Sequence, residues 1–243
     1  MKTDFPIISS EDIPFITVEQ MKKVDELMMG KYQISLEKMM ENAGLNLALL
    51  CRKLYPNHKS FHVLVGKGNN GGGGLVAARR LHNWGFNVKI ILASEEDKLK
   101  KIPIVQLSAL KELEVQILPF FEYSIGEEAI VLDTLLGYSL KGNPRENYAK
   151  IINHVNNSNL AIISLDIPSG IEGTSGIIYE PAIKADITMT LGLPKTAFRK
   201  NHVKYYLGRL FVADISVPIE LFNEIDIEVS STLFQKSTIV EIK

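Results

Sequence analysis

Residues 61–75 read F-H-V-L-V-G-K-G-N-N-G-G-G-G-L. A short, β-branched apolar run ends directly in six glycines: Gly66, Gly68 and Gly71 to Gly74. The run predicts a strand buried on both faces, and L-V-A-A-R-R-L-H-N-W from Leu75 predicts the helix that follows. Glycine loses more backbone entropy on ordering than any other residue. A tight strand-to-helix turn needs only two or three, so six imply that something comes very close to this backbone. Gly66, Gly68 and Gly71 fit G-x-G-x-x-G, whose N–H groups at a helix N-terminus suit a pyrophosphate without cationic side chains. No Gly-Lys-Ser/Thr follows, so nucleotide hydrolysis is not expected. The acidic residue expected about 20 positions further on is matched only loosely, by Glu95.

The pattern continues on the C-terminal side. N-V-K-I-I-L, V-Q-I-L, A-I-V-L-D, L-A-I-I-S-L-D, A-D-I-T-M-T-L and R-L-F-V-A-D predict six more strands. I-V-Q-L-S-A-L-K-E-L and N-Y-A-K-I-I-N-H-V-N-N predict helices among them. Strands alternating with helices define an α/β fold, with a mostly parallel central sheet covered on both faces. Two helices precede this region. Thr17 and Gln20 have capping-box spacing, and Met21, Val24, Leu27 and Met28 follow at helical intervals up to Gly30, the expected stop. Ser35 is the expected cap of the second, with Leu36, Met39, Met40, Ala43, Leu47 and Leu50 on its apolar stripe.

Composition narrows the function. With 46% hydrophobic and 23% charged residues, the 243-residue chain can build an ordinary core. A formal net charge of −1 gives no reason to expect nucleic acid or an anionic membrane as partner. No apolar stretch is long enough to span a bilayer, and the acidic N-terminus has no signal-like segment. The single cysteine, Cys51, excludes an internal disulfide and fits a reducing, cytoplasmic setting. Five scattered histidines make a zinc site unexpected.

In such sheets, ligands bind beyond the carboxyl ends of the strands. Three loops fall there: the glycines after residue 65, D-T-L-L-G-Y-S-L-K-G-N-P-R from Asp133, and D-I-P-S-G from Asp166. Either aspartate alone reads as a cap or turn residue. Two on one rim, each opening a glycine-containing loop, point to a site. Ser169 reads as a turn residue or a ligand, and Lys141 and Arg145 as phosphate contacts or solvated charges. Asn70, Asp133 and Ser169 together would offer hard oxygens of low total charge, which suit K⁺ better than zinc or copper.

Taken together, the loops resemble the NAD(P)H-hydrate epimerase family across nearly the whole chain. I-T-V-E-Q-M-K-K-V-D and M-M-E-N-A-G resemble its opening helices. V-L-V-G-K-G-N-N-G-G-G-G-L-V-A-A-R-R-L resembles its glycine loop. V-L-D-T-L-L-G-Y-S-L-K-G, S-L-D-I-P-S-G and A-D-I-T-M-T-L-G-L-P-K resemble its later motifs, in order. The resemblance implies a Rossmann-like three-layer sandwich over residues 1–243, with helices of about residues 16–55 packed outside the core. It implies the stand-alone form, without the dehydratase domain often fused to this family, and a homodimer. Asn69, Asn70, Gly71, Gly72 and Gly73 would contact the hydrated nicotinamide cofactor. Gly137, Tyr138, Ser139, Leu140, Lys141, Gly142 and Asn143 would form a second substrate-binding loop. Asp166 would contact substrate and catalyse, while Asn70, Asp133 and Ser169 would hold one K⁺ per subunit. The family motif is N-N-G-G-D-G, so Gly73 stands where an aspartate is expected. That departure motivates a second reading, a nucleotide-binding module without chemistry. A third, an NAD(P)-dependent dehydrogenase, rests on G-x-G-x-x-G and lacks a hydride-transfer pair.

Overall fold

The computed structural model describes residues 5–58, 60–124 and 128–243, so Met1 to Asp4 of the acidic N-terminal stretch lie outside the described residues. The elements run β1 (Ile7–Ile8), α1 (Val18–Gly30), α2 (Leu36–Leu54), β2 (Ser60–Val65), α3 (Asn69–Asn83), β3 (Asn87–Leu92), α4 (Lys101–Glu112) and β4 (Gln116–Pro119). They continue β5 (Ile130–Thr134), α5 (Glu146–Asn156), β6 (Ala161–Leu165), β7 (Ile187–Leu191), α6 (Asn201–Leu207), β8 (Arg209–Ala213), α7 (Ile219–Asn223) and β9 (Ile239–Ile242). The strands form one sheet in the order β1-β9-β8-β7-β6-β5-β2-β3-β4. Every described pairing is parallel except β8 with β9. The chain winds from β2 out to β4, then returns to the other side of β2 at β5. The reversal opens a crevice beyond the ends of β2 and β5, where doubly wound sheets take their ligands.

Strand residues alternate between the two covered faces. Val63 and Val65 pack with Leu47, Leu75 and Leu107 on one side, while Leu64 packs with Ile151, Ile152 and Val155 on the other. This period of two produces the expected three layers. The N-terminal helices are placed as expected. Thr17 caps α1 with a complete capping box, and Ser35 caps α2. Met21, Val24 and Met28 pack with Leu193, Val212 and Ile215 near the antiparallel end of the sheet.

Gly30 ends α1 as expected, with Lys31 as a cap in a helical conformation and the positive φ of 55° at Gln33. One reading needs correction: α3 starts at Asn69 with Gly68 as its cap, so Gly71 to Gly74 are helix and not loop. They are there because the protein's own atoms crowd them. A Cβ on Gly71 would stand 2.0 Å from the Gly66 carbonyl oxygen, on Gly72 2.5 Å from Met40 Sδ, and on Gly74 2.1 Å from Thr134 Oγ1. Gly44 on α2 meets Val76 in the same way, so α2 and α3 pack almost backbone to backbone. Packing energy thus outweighs the weak helix propensity of glycine. β1, β9, α6 and α7 were not foreseen. β1 is a short edge strand and β9 lies between it and β8, and partners distant in sequence define both.

Candidate active site

A cavity of about 700 Å³ fills the crevice beyond β2 and β5. That is within the usual range for small-molecule sites. Its walls come from the start of α3, the loop after β5, the end of β6, and α1 and α2. Of the residues foreseen for substrate, Asn69, Asn70, Gly73, Gly137, Tyr138, Ser139, Leu140, Lys141, Asn143 and Asp166 line it. Gly71 and Gly72 do not; they are buried in α3. Gly142 shapes its loop with a φ of 79° and is also outside the lining. Gly68 meets nothing within 4 Å of an added Cβ, and Gly73 meets only side-chain atoms, Leu165 Cδ2 at 2.9 Å and Ala43 Cβ at 4.0 Å. At the cavity Gly68 therefore leaves space, while Gly73 and the glycines behind it serve packing. Lys67, Lys100, Lys141 and Arg145 also line the cavity beside the N-terminus of α3. Cations and the helix dipole together favour an anionic group there.

Asp166 lies at the cavity floor with a φ of 67°, sparsely populated for a non-glycine residue. Its N–H donates to the Met189 carbonyl at 2.8 Å, which holds the turn beyond β6. Its Oδ1 is 2.7 Å from Nζ of Lys195, and both side chains are almost wholly buried. Lys195 Nζ also donates to Thr190 Oγ1 at 3.1 Å and to the carbonyls of Leu191 and Leu193 at 3.1 and 3.2 Å. The ion pair is close but not aligned as a hydrogen bond, so Asp166 Oδ1 takes no hydrogen bond from the protein. A buried carboxylate oxygen without a hydrogen bond is unusual. Here the adjacent Lys195 ammonium compensates it, and Asp166 as a residue lines the cavity.

Asp133 and Ser169 stand behind the wall. Register pairs Asp133 with Leu64 on one side and Ser164 on the other, so its carboxylate is at the centre of the sheet and fully buried. It accepts from Ser164 Oγ (2.8 Å), Ser169 N (2.9 Å), Ser169 Oγ (2.6 Å) and Leu135 N (3.2 Å). Burial pushes its pKa up, against the downward pull of these hydrogen bonds. Asn70 donates its amide to the Leu165 carbonyl at 3.3 Å, so its Oδ1 is left as an acceptor near Gly137.

Two groups escaped sequence reasoning. Lys195 lies in the L-G-L-P-K motif but carried no assigned role. Asp25 comes from α1, where it falls one turn after Met21 and beside the apolar stripe. An acid at that spacing was the available signal. A parallel bridge between Ile16 and Lys195 ties the start of α1 to the loop after β7 and so brings Asp25 to the cavity.

A doubly wound α/β sheet with a cavity at its switch point that Asp25, Asp166 and several cations line places the chain in the Rossmann-like class of folds. Residues 36–197 match the family model described as YjeF-related protein N-terminus. The chain is 36% identical over 211 residues to the NAD(P)H-hydrate epimerase of Entamoeba histolytica, covering 85% of this chain and 90% of that one. It is 37% identical over 221 residues to the NAD(P)H-hydrate epimerase of Dehalogenimonas lykanthroporepellens, covering 90% and 88%. The crystal structure of yeast ynu0, YNL200c, superposes with a TM-score of 0.82 at 23% identity, over 94% of this chain and 100% of that chain, which supports the fold. The chain belongs to the YjeF-related N-terminal family and, within it, to the NAD(P)H-hydrate epimerases. Among the described residues, no helix is long and apolar enough to cross a membrane.

Proposed function

We propose that the chain interconverts the R and S forms of NADH or NADPH hydrated at C6 of the nicotinamide ring, as an isomerase of metabolite repair. The observation that carries this reading is the Asp166 carboxylate, ion-paired with Lys195 and lining a cavity flanked by the start of α3. C6 bears a hydroxyl beside the ring nitrogen. Inversion requires that hydroxyl to leave, giving an iminium-like cation, and water to return on the other face. A fixed carboxylate stabilises the cation and relays a proton. The N–H groups at the start of α3 and the nearby cations hold the pyrophosphate. The names of the relatives favour this reading over a binding module without chemistry.

Asn70, Asp133 and Ser169 fit K⁺ by their chemistry. They supply amide, carboxylate and hydroxyl oxygens, and no described salt bridge neutralises the buried Asp133. The ion would supply positive charge that fixes the three loops. K⁺ at a hundredfold its Kd should add about 2.7 kcal/mol, or roughly 5–10 °C in Tm for a domain of this size. Melting in KCl against equimolar LiCl reads this directly, and Asn70→Ala should shrink the difference. On the same family resemblance the active form is a cytoplasmic homodimer, which sedimentation of the purified chain tests for oligomeric state.

The functional test starts from a pure S hydrate and follows the R form by chromatography. The chain should bring either epimer to the same mixture. Gly73→Asp should raise the rate roughly tenfold, equivalent to about 1.4 kcal/mol of transition-state stabilisation. The new Cβ would stand 2.9 Å from Leu165 Cδ2, the end of a buried side chain that has to shift by a few tenths of an ångström. Failure of the wild-type chain to interconvert the epimers would refute the assignment.

A further inference from the structure

Asp25 reaches the cavity from α1, while Asp166 reaches it from the end of β6. Tyr138, from the loop after β5, donates its hydroxyl to Asp25 Oδ2 and lines the same space. Among the described residues no lysine or arginine forms a salt bridge with Asp25, whereas Asp166 has Lys195 at 2.7 Å. The two carboxyl groups thus line the cavity from different elements and have different partners: one a phenol, the other an ammonium. Such an arrangement separates an acid from a base. Gly73 puts no carboxyl group on the α3 wall. The other carboxyl-bearing residue lining the cavity, Glu146, is exposed.

We infer that Asp25 is the second proton-transfer group of the site, protonating the departing C6 hydroxyl while Asp166 accepts a proton from the incoming water. This rests on the epimerase reading and deepens it. The C6–O bond breaks with its electron pair on oxygen, and the Asp25 proton turns the leaving group into water. The positive charge passes to the ring as the N1=C6 cation. Water then forms the new C6–O bond on the other face and gives its extra proton to Asp166. Exchange with solvent returns both carboxyl groups to their starting states, and the opposite epimer uses the steps in reverse. No oxidant or reductant is needed.

The surroundings of Asp25 agree with an acid role. Burial raises its pKa, the Tyr138 hydrogen bond lowers it, the nearby Asp166 raises it, and Lys195 lowers it. Its proton is therefore retained to higher pH than on an ordinary carboxyl. Activity carried by that proton falls as pH rises through the pKa. Removing the Tyr138 hydroxyl takes away a lowering influence, so the fall must move to higher pH.

The test measures epimerisation of pure S hydrate by wild type, Asp25→Asn and Tyr138→Phe across a pH series that brackets the high-pH fall of wild-type kcat. Asp25→Asn should lose on the order of 10²-fold in kcat with KM little changed, the low end for a lost proton-transfer group. Tyr138→Phe should displace the alkaline limb of the kcat profile upward. Wild-type kcat in a folded Asp25→Asn, or an unmoved limb in Tyr138→Phe, overturns the inference. Should Asp25→Asn not fold, the Tyr138→Phe profile decides. A wild-type chain that leaves both epimers unchanged instead overturns the epimerase reading itself.

Discussion

Asp166→Asn should reduce epimerisation on the order of 10³-fold, within the span attributed to positioned acid–base groups, and should also lower stability. The first effect follows from chemistry. An amide neither accepts the proton of the incoming water nor balances a ring cation. The second follows from Lys195, whose ammonium is buried at 0% exposure and paired with Asp166. Breaking one partner of a buried pair costs about 3–5 kcal/mol, because the other charge is left uncompensated. The three remaining acceptors, Thr190 Oγ1 and the carbonyls of Leu191 and Leu193, soften the loss toward the lower figure. A drop of roughly 6–12 °C in Tm is expected from about 3 kcal/mol in a domain of this size. The two effects separate in the double variant Asp166→Asn with Lys195→Met. It removes the stranded charge and should recover much of the melting temperature with none of the activity. Assays at a temperature where circular dichroism shows each variant folded keep the kinetic result clean. Turnover close to wild type in a folded Asp166→Asn would remove Asp166 from the chemistry.

Gly71→Ala should cost at least about 3 kcal/mol, the upper end for overpacking, while Gly68→Ala should change stability by less than about 1 kcal/mol. Both are glycines of the same G-x-G-x-x-G motif, so the motif alone does not distinguish them. The structure does. An alanine methyl at Gly71 would stand 2.0 Å from the carbonyl oxygen of Gly66 and 2.9 Å from its carbonyl carbon. That is backbone against backbone, and no side-chain rotation relieves it. The strand-to-helix turn must open and carry α3 away from β2. At Gly68 the same methyl meets nothing within 4 Å. Gly68 lines the cavity, so on the proposed binding of the pyrophosphate there Gly68→Ala should instead raise KM. Denaturant midpoints and KM for the two variants read these opposite signatures. Equal destabilisation by both would show that the turn is not packed as described.

The α/β class was legible because the strands are β-branched runs buried on both faces, and runs such as F-H-V-L-V need no partner to be read. Thr17–Gln20 and Ser35 were legible because caps act locally. The three loops were legible as a site because strand ends in a parallel sheet share one rim. The purpose of the glycines was only half legible. Gly44, Met40 and Thr134, which crowd Gly71 to Gly74 or their neighbour Val76, lie on elements that sequence spacing does not join. Asp25 and Lys195 were missed for the same reason. A bridge between Ile16 and Lys195, distant in sequence, is what brings α1 to the floor. A helix register shows which face is buried, but not what that face looks into.

The account turns on cleavage and re-formation of the bond between C6 and its hydroxyl oxygen over Asp166. Oxygen labelling tests that most directly. Pure S hydrate incubated with the chain in H₂¹⁸O should yield R hydrate that carries the heavy oxygen at C6, measured by mass spectrometry against an enzyme-free control. R hydrate formed by the chain with its original oxygen would contradict the account. It would mean that the ring opens between C6 and nitrogen, with the hydroxyl never leaving.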